Sequence, residues 1–203
     1  MLKIRLMMED VVRVEFGADD LVAIRALADS RDRAGDDGER AVFAAFLSAV
    51  AEVRGLSPAK AHRLMGRRLV TPVLEAFPAL TEAQPTAMSV ILNIGRLLPK
   101  VVDTLLPRVD VSALDVELLE HETLRLRFSG PAEMASLVEG VAIGLSAHFG
   151  ERIEAVHFVP TEALPESRVV QIRITTERRG IERRDGRADR RNPGRDRRKP
   201  RDP

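Results

Sequence analysis

Pro131-Ala-Glu-Met-Ala-Ser-Leu-Val-Glu-Gly-Val-Ala-Ile-Gly-Leu-Ser-Ala-His-Phe-Gly150 is the stretch around which the chain is organised. Met134, Leu137, Val138, Val141, Leu145 and Phe149 recur at three- and four-residue steps, the spacing of one helical stripe. Pro131 suits a first helical turn and Gly150 a stop. Gly140 and Gly144 sit one turn apart, a spacing that lets another backbone come close, and the sheet is the expected neighbour. Strand patterns bracket this helix. Upstream, Leu114, Val116 and Leu118 alternate, then a turn falls near His121, then Leu124, Leu126 and Phe128 alternate with Thr123, Arg125 and Arg127. Downstream, Ile153 to Val159 and Arg168 to Thr175 read as two more strands. The unit is strand–strand–helix–strand–strand, and the rest of the chain is expected to pack on it.

The chain has 203 residues, 44% of them hydrophobic, enough for one core and a tail. It contains no apolar run of membrane-spanning length, and its first residues lack the apolar region of a signal peptide, so a cytoplasmic location is expected. There is no cysteine, which excludes disulfides and thiolate chemistry. There is also no tyrosine and no tryptophan. The net charge of +1 conceals an asymmetry, because residues 177–203 carry 12 basic and 6 acidic side chains. That segment, with paired arginines at 178/179, 183/184, 190/191 and 197/198, is expected to be a disordered Arg-rich tail following a domain over 1–176. As a basic arm it could attract nucleic acid, but it has no aromatic residue to stack on bases.

Before the central unit the chain reads as helices. Glu9 to Ala28 is helical with a break at Gly17, and Asp29 to Gly38 is a polar loop that misses the calcium-loop spacing. Glu39 to Arg54 is helical, with Phe43, Phe46 and Leu47 inward. Ser57-Pro58 opens the next helix as N-cap and first residue, and Pro72 is expected to kink it. Thr86 to Leu106 is a further apolar helix, disturbed by Gly95 and Pro99.

This order resembles the heme-nitric oxide/oxygen binding (H-NOX) family. Met65-Gly-Arg-Arg-Leu-Val-Thr-Pro-Val-Leu-Glu-Ala-Phe-Pro78 looks like the family helix that runs from a Gly to a large residue followed by Pro. Asn93 to Pro99 looks like the heme-side helix, usually Asn-x-x-Ile-His-Pro, and Leu124 to Pro131 with Leu137 to Gly150 looks like the strand, turn and helix of bacterial members. The likeness spans about residues 8 to 175 and implies an α+β fold, a helical subdomain packed on a four-stranded antiparallel sheet.

The resemblance implies a sensor, and it also exposes what is missing. Aligning Pro99 with the family's His-Pro puts Leu98 where the iron-ligating histidine belongs, and leucine has no lone pair to give. The heme-propionate clamp Tyr-x-Ser-x-Arg falls on Phe128, Gly130 and Ala132, each without the binding group. His62, His121, His148 and His157 are better read as surface or packing residues than as replacement ligands.

No nucleophile elbow, phosphate loop, zinc-protease motif or dinucleotide fingerprint occurs, so no enzyme activity is expected. Glu133 and Glu139, six residues apart, are read as solvated. The expectation is a heme-free H-NOX-like regulatory domain whose apolar pocket is lined by Phe46, Leu69, Met88, Ile91, Leu98 and Val101 and filled by side chains or by an apolar small molecule. Its partner, by family resemblance, is a kinase or a cyclic-dinucleotide enzyme reached by non-covalent contact. The alternatives are a divergent nitric oxide or oxygen sensor with a non-standard heme ligand, and a polyanion binder acting through the tail.

Overall fold

A computed structural model describes residues 3–32, 38–82, 84–93, 115–119, 123–129, 132–159 and 167–175. The helices are α1 (Lys3–Phe16), α2 (Ala18–Asp32), α3 (Gly38–Val53), α4 (Pro58–Ala76), α5 (described over 87–93) and α6 (Ala132–Phe149). The strands are β1 (Asp115–Leu118), β2 (Thr123–Ser129), β3 (Arg152–Val159) and β4 (Ser167–Thr175). They form one antiparallel sheet in the order β1-β2-β4-β3, with a register shift between Ile153 and Ala155. This is the expected α+β architecture.

The first helical stretch begins earlier than its sequence pattern suggests, and the expected break at Gly17 divides it into two helices. Gly17 separates them at φ +96°, a backbone region that side chains disfavour. Glu9 is only 1% exposed and joins α1 to α2 through Arg5 and Arg25, with Arg5 also reaching Asp29. At the far end of the same layer, Arg54 binds Asp20 (2.7 Å) and lies over the Phe16 ring, 4.7 Å from its centre.

Alternation along the strands decides which face meets the core. Leu124, Leu126 and Phe128 on β2 and Val170, Ile172 and Ile174 on β4 are all buried, and α6 packs on the β4–β3 side of the sheet. Phe46, Leu47, Val50, Met65, Leu69 and Ile24 continue the same core into the helices. Leu118 departs from expectation: on the short edge strand β1 it is 51% exposed.

Candidate functional site

The centre of the molecule is the contact between α4 and α6. Ser57 caps α4 by accepting from the Lys60 amide (3.4 Å), and Pro58 occupies the first turn, where its missing N–H costs nothing. The helix runs on through Pro72 to Ala76. Against it α6 presents Gly140 and Gly144, and α4 answers with Gly66. A β-carbon on Gly66 would lie 2.3 Å from the Leu137 carbonyl oxygen, and one on Gly144 would lie 2.6 Å from the Arg67 carbonyl oxygen. The expectation that these glycines pack against the sheet is therefore corrected: they let two helix backbones touch. Glu139 is corrected too. Its side chain is only 12% exposed and accepts from Arg63 Nε at 2.7 Å, so it ties α6 to α4 instead of facing solvent.

The start of α5 is held with equal definition. Thr86 and Ser89 form a reciprocal cap, Thr86 N donating to Ser89 Oγ (3.1 Å) and Ser89 N to Thr86 Oγ1 (3.0 Å). The Ala87 amide donates to Glu151 Oε2 (3.0 Å), a carboxylate from the turn between α6 and β3. Asn93 donates to Gln84 and to the Ser89 carbonyl (3.1 and 2.9 Å). The helix carrying Met88 and Ile91 is thus fixed to the α6–sheet unit at its first residue. Sequence reasoning missed the Glu151 cap because its partner is far along the chain.

Phe46, Leu69 and Ile91 are buried in the hydrophobic core, and Met88 packs against it partly buried. Leu98 and Val101 lie outside the described residues, as do Gly130 and His121. Phe128 is buried on β2, and Ala132 begins α6.

A model of the Haem-NO-binding family matches residues 5–157. The chain belongs to this family. Among solved structures it resembles an H-NOX protein from Shewanella oneidensis in the Fe(II)NO ligation state, with TM-score 0.68 and 16% identity over 85% of this chain and 97% of that one. It also resembles an oxygen-binding H-NOX domain related to soluble guanylate cyclases, with TM-score 0.62 and 15% identity over 85% of this chain and 93% of that one. At such identities these likenesses speak to the fold. No curated protein matches the chain.

The H-NOX family is a heme-binding sensor family, so the donor set must be tested against that group. His62 is half-buried near the start of α4, with Nδ1 2.8 Å from the Pro58 carbonyl oxygen of its own first turn. His148 is exposed near the end of α6 and packs edge-on against Phe149, ring centres 5.0 Å apart. Neither imidazole is buried. His157 lies on β3 opposite Gln171, and its side chain is outside the described residues. Among the described residues no three His, Asp or Glu side chains could hold a metal ion. At the position that the resemblance assigns to the clamp tyrosine stands the buried Phe128, which has no hydroxyl to offer a propionate. At the clamp position, then, the described residue lacks a propionate-binding group, and the position assigned to the iron ligand, Leu98, lies outside the described residues.

Proposed function

We propose that this H-NOX-family chain is a regulatory module that works without heme and signals by non-covalent contact with a partner protein. The observation that carries this is Leu98 at the position of the family's iron-ligating histidine. No histidine occurs between His62 and His121, so a slip of the alignment by a residue or two restores no ligand. The absence of tyrosine from the whole chain adds that no phenol replaces the one lost at Phe128.

In this reading the module comprises residues 1–176, with β4 completing the sheet through Thr175, and 177–203 is an appended basic tail. The space that heme takes in the family is lined by Phe46, Leu69, Met88, Ile91, Leu98 and Val101. It is closed by these side chains or takes an apolar small molecule. Movement of the helices against the sheet alters an exposed surface, and the partner that reads it is a kinase or a cyclic-dinucleotide enzyme. Titrating the purified, folded protein with hemin tests the proposal. It predicts no saturable one-to-one absorbance change, and stoichiometric uptake that a single His substitution abolishes would overturn it.

A further inference from the structure

Glu151 joins three elements. Its backbone closes α6 in a paired cap, Gly150 N donating to the Ala147 carbonyl (3.2 Å) and Glu151 N to the Ser146 carbonyl (2.8 Å). Its carboxylate accepts from the Ala87 amide (3.0 Å), one of the donors that a helix start leaves without an intrahelical partner. The next residue, Arg152, opens β3 and pairs with Thr175, whose Oγ1 donates to the Arg152 carbonyl (3.3 Å). Ala87 is fully buried, so its amide cannot turn to water in exchange for the carboxylate. Breaking the bond would leave a buried donor unpaired, and a shift of α5 therefore carries the Glu151 side chain with it. Met88, the neighbour of Ala87, packs on the core, and Ile91, one turn on, is buried in it.

We propose that Glu151 is a regulatory relay: what fills the apolar space displaces α5, and the carboxylate passes that displacement to the α6–β3 turn and the end of β4. The proposal rests on the heme-free reading above and adds a route from the apolar space to the surface. The route is short. Ala87 adjoins Met88 on one side and Arg152 adjoins Glu151 on the other, so a single carboxylate spans helix and sheet. Coupling of this kind needs a discrete connection that both ends bias, and proximity alone does not supply one. The Arg63–Glu139 ion pair ties α6 to α4 and not to α5, so it serves as the comparison. At the receiving end β4 stops at Thr175, and the chain continues into residues 177–203 with their 12 basic and 6 acidic side chains. The strand end that moves is thus the root of the chain's most basic stretch, and a partner in contact with that stretch registers the state of the core.

The test uses the full chain, with xenon as the probe of the apolar space and backbone amide NMR signals as the readout. Xenon should move the signals of Met88 and Ile91 and, in the same titration, those of Arg152 and Thr175. In Glu151→Ala the first pair should still move and the second should not. Glu151→Gln keeps an oxygen that can accept from Ala87 and should retain a reduced response. It also replaces the alanine variant if circular dichroism shows that one to be unfolded. Arg63→Ala, which cuts the tie between α4 and α6, should respond like the unaltered chain. A response at Arg152 and Thr175 that is unchanged in the Glu151 variants, or absent from the unaltered chain while Met88 and Ile91 move, overturns the relay. If xenon moves nothing, side chains close the space, and Ile91→Ala supplies the displacement by opening a cavity. Its effect on Arg152 and Thr175 should then vanish on adding Glu151→Ala, and an effect that persists overturns the proposal. Failure of the relay leaves the heme-free reading standing, whereas a Soret band from the same sample defeats that reading whatever the amides do.

Discussion

Gly140 lies with its backbone against the Arg63 carbonyl, so close that a β-carbon would stand 2.1 Å from that oxygen. Two residues of α4 one turn apart, Arg63 and Arg67, thus meet a glycine on α6, and the Arg63–Glu139 ion pair closes over the contact. Backbone cannot swing aside as a side chain tip can. Gly140→Ala should therefore separate the helices and cost about 1–3 kcal/mol, even after the gain in helix propensity. Urea denaturation of the variant should show a lower midpoint with a similar slope.

Glu9 is the other feature with a sharp mechanical consequence. Its carboxylate is buried between Arg5 and Arg25, and Arg5 also holds Asp29. Burial alone pulls Arg5 down, but the hydrogen bonds with Asp29 and Glu9 outweigh it and raise the guanidinium above its ordinary value. Arg25 is raised by its bond to Glu9. Because both shifts are upward, their contribution is present at neutral pH and is lost only in strong alkali. Glu9→Gln strips the charge that two cations face and should destabilise by about 3 kcal/mol, read as a fall in melting temperature.

The cap of α4 makes a smaller prediction. Ser57→Ala removes the oxygen that accepts from Lys60 N and should cost about 1 kcal/mol in chemical denaturation.

On the proposed reading, supplying a ligand at Leu98 should bring heme binding with it. Leu98→His places an imidazole at the position the family uses for iron, and Phe128→Tyr adds a phenol at the buried clamp position. The double variant should acquire a Soret absorbance on expression with ample heme, and the unaltered chain should not. A variant that folds and stays colourless would show that the space itself has closed.

The fold was largely legible in the chain because it is written in local periodicity. The stripe over Met134 to Phe149 and the alternation of Leu124, Leu126 and Phe128 mark α6 and β2, and Ser57-Pro58 marks the start of α4. Long-range pairings were not legible. Gly140 and Gly144 announce a close approach without naming the partner, so α4 could not be told from the sheet. Glu139 looks solvated until Arg63, 76 residues away, is folded onto it. Glu9 shows its Arg5 partner at helical spacing, but Arg25 becomes its second partner only when α2 folds back. The candidate site was read mainly through what it lacks, since the absence of Tyr from the chain and of any His between His62 and His121 is visible in composition and order alone.

The central claim is loss of heme, and an absorption spectrum tests it most directly. The full chain would be expressed with ample heme, purified, reduced and exposed to nitric oxide. The account predicts a folded, colourless protein with no Soret band in any state. A stoichiometric band that shifts when nitric oxide is added would contradict it, and substitution of His62, His121, His148 and His157 in turn would then identify the ligand.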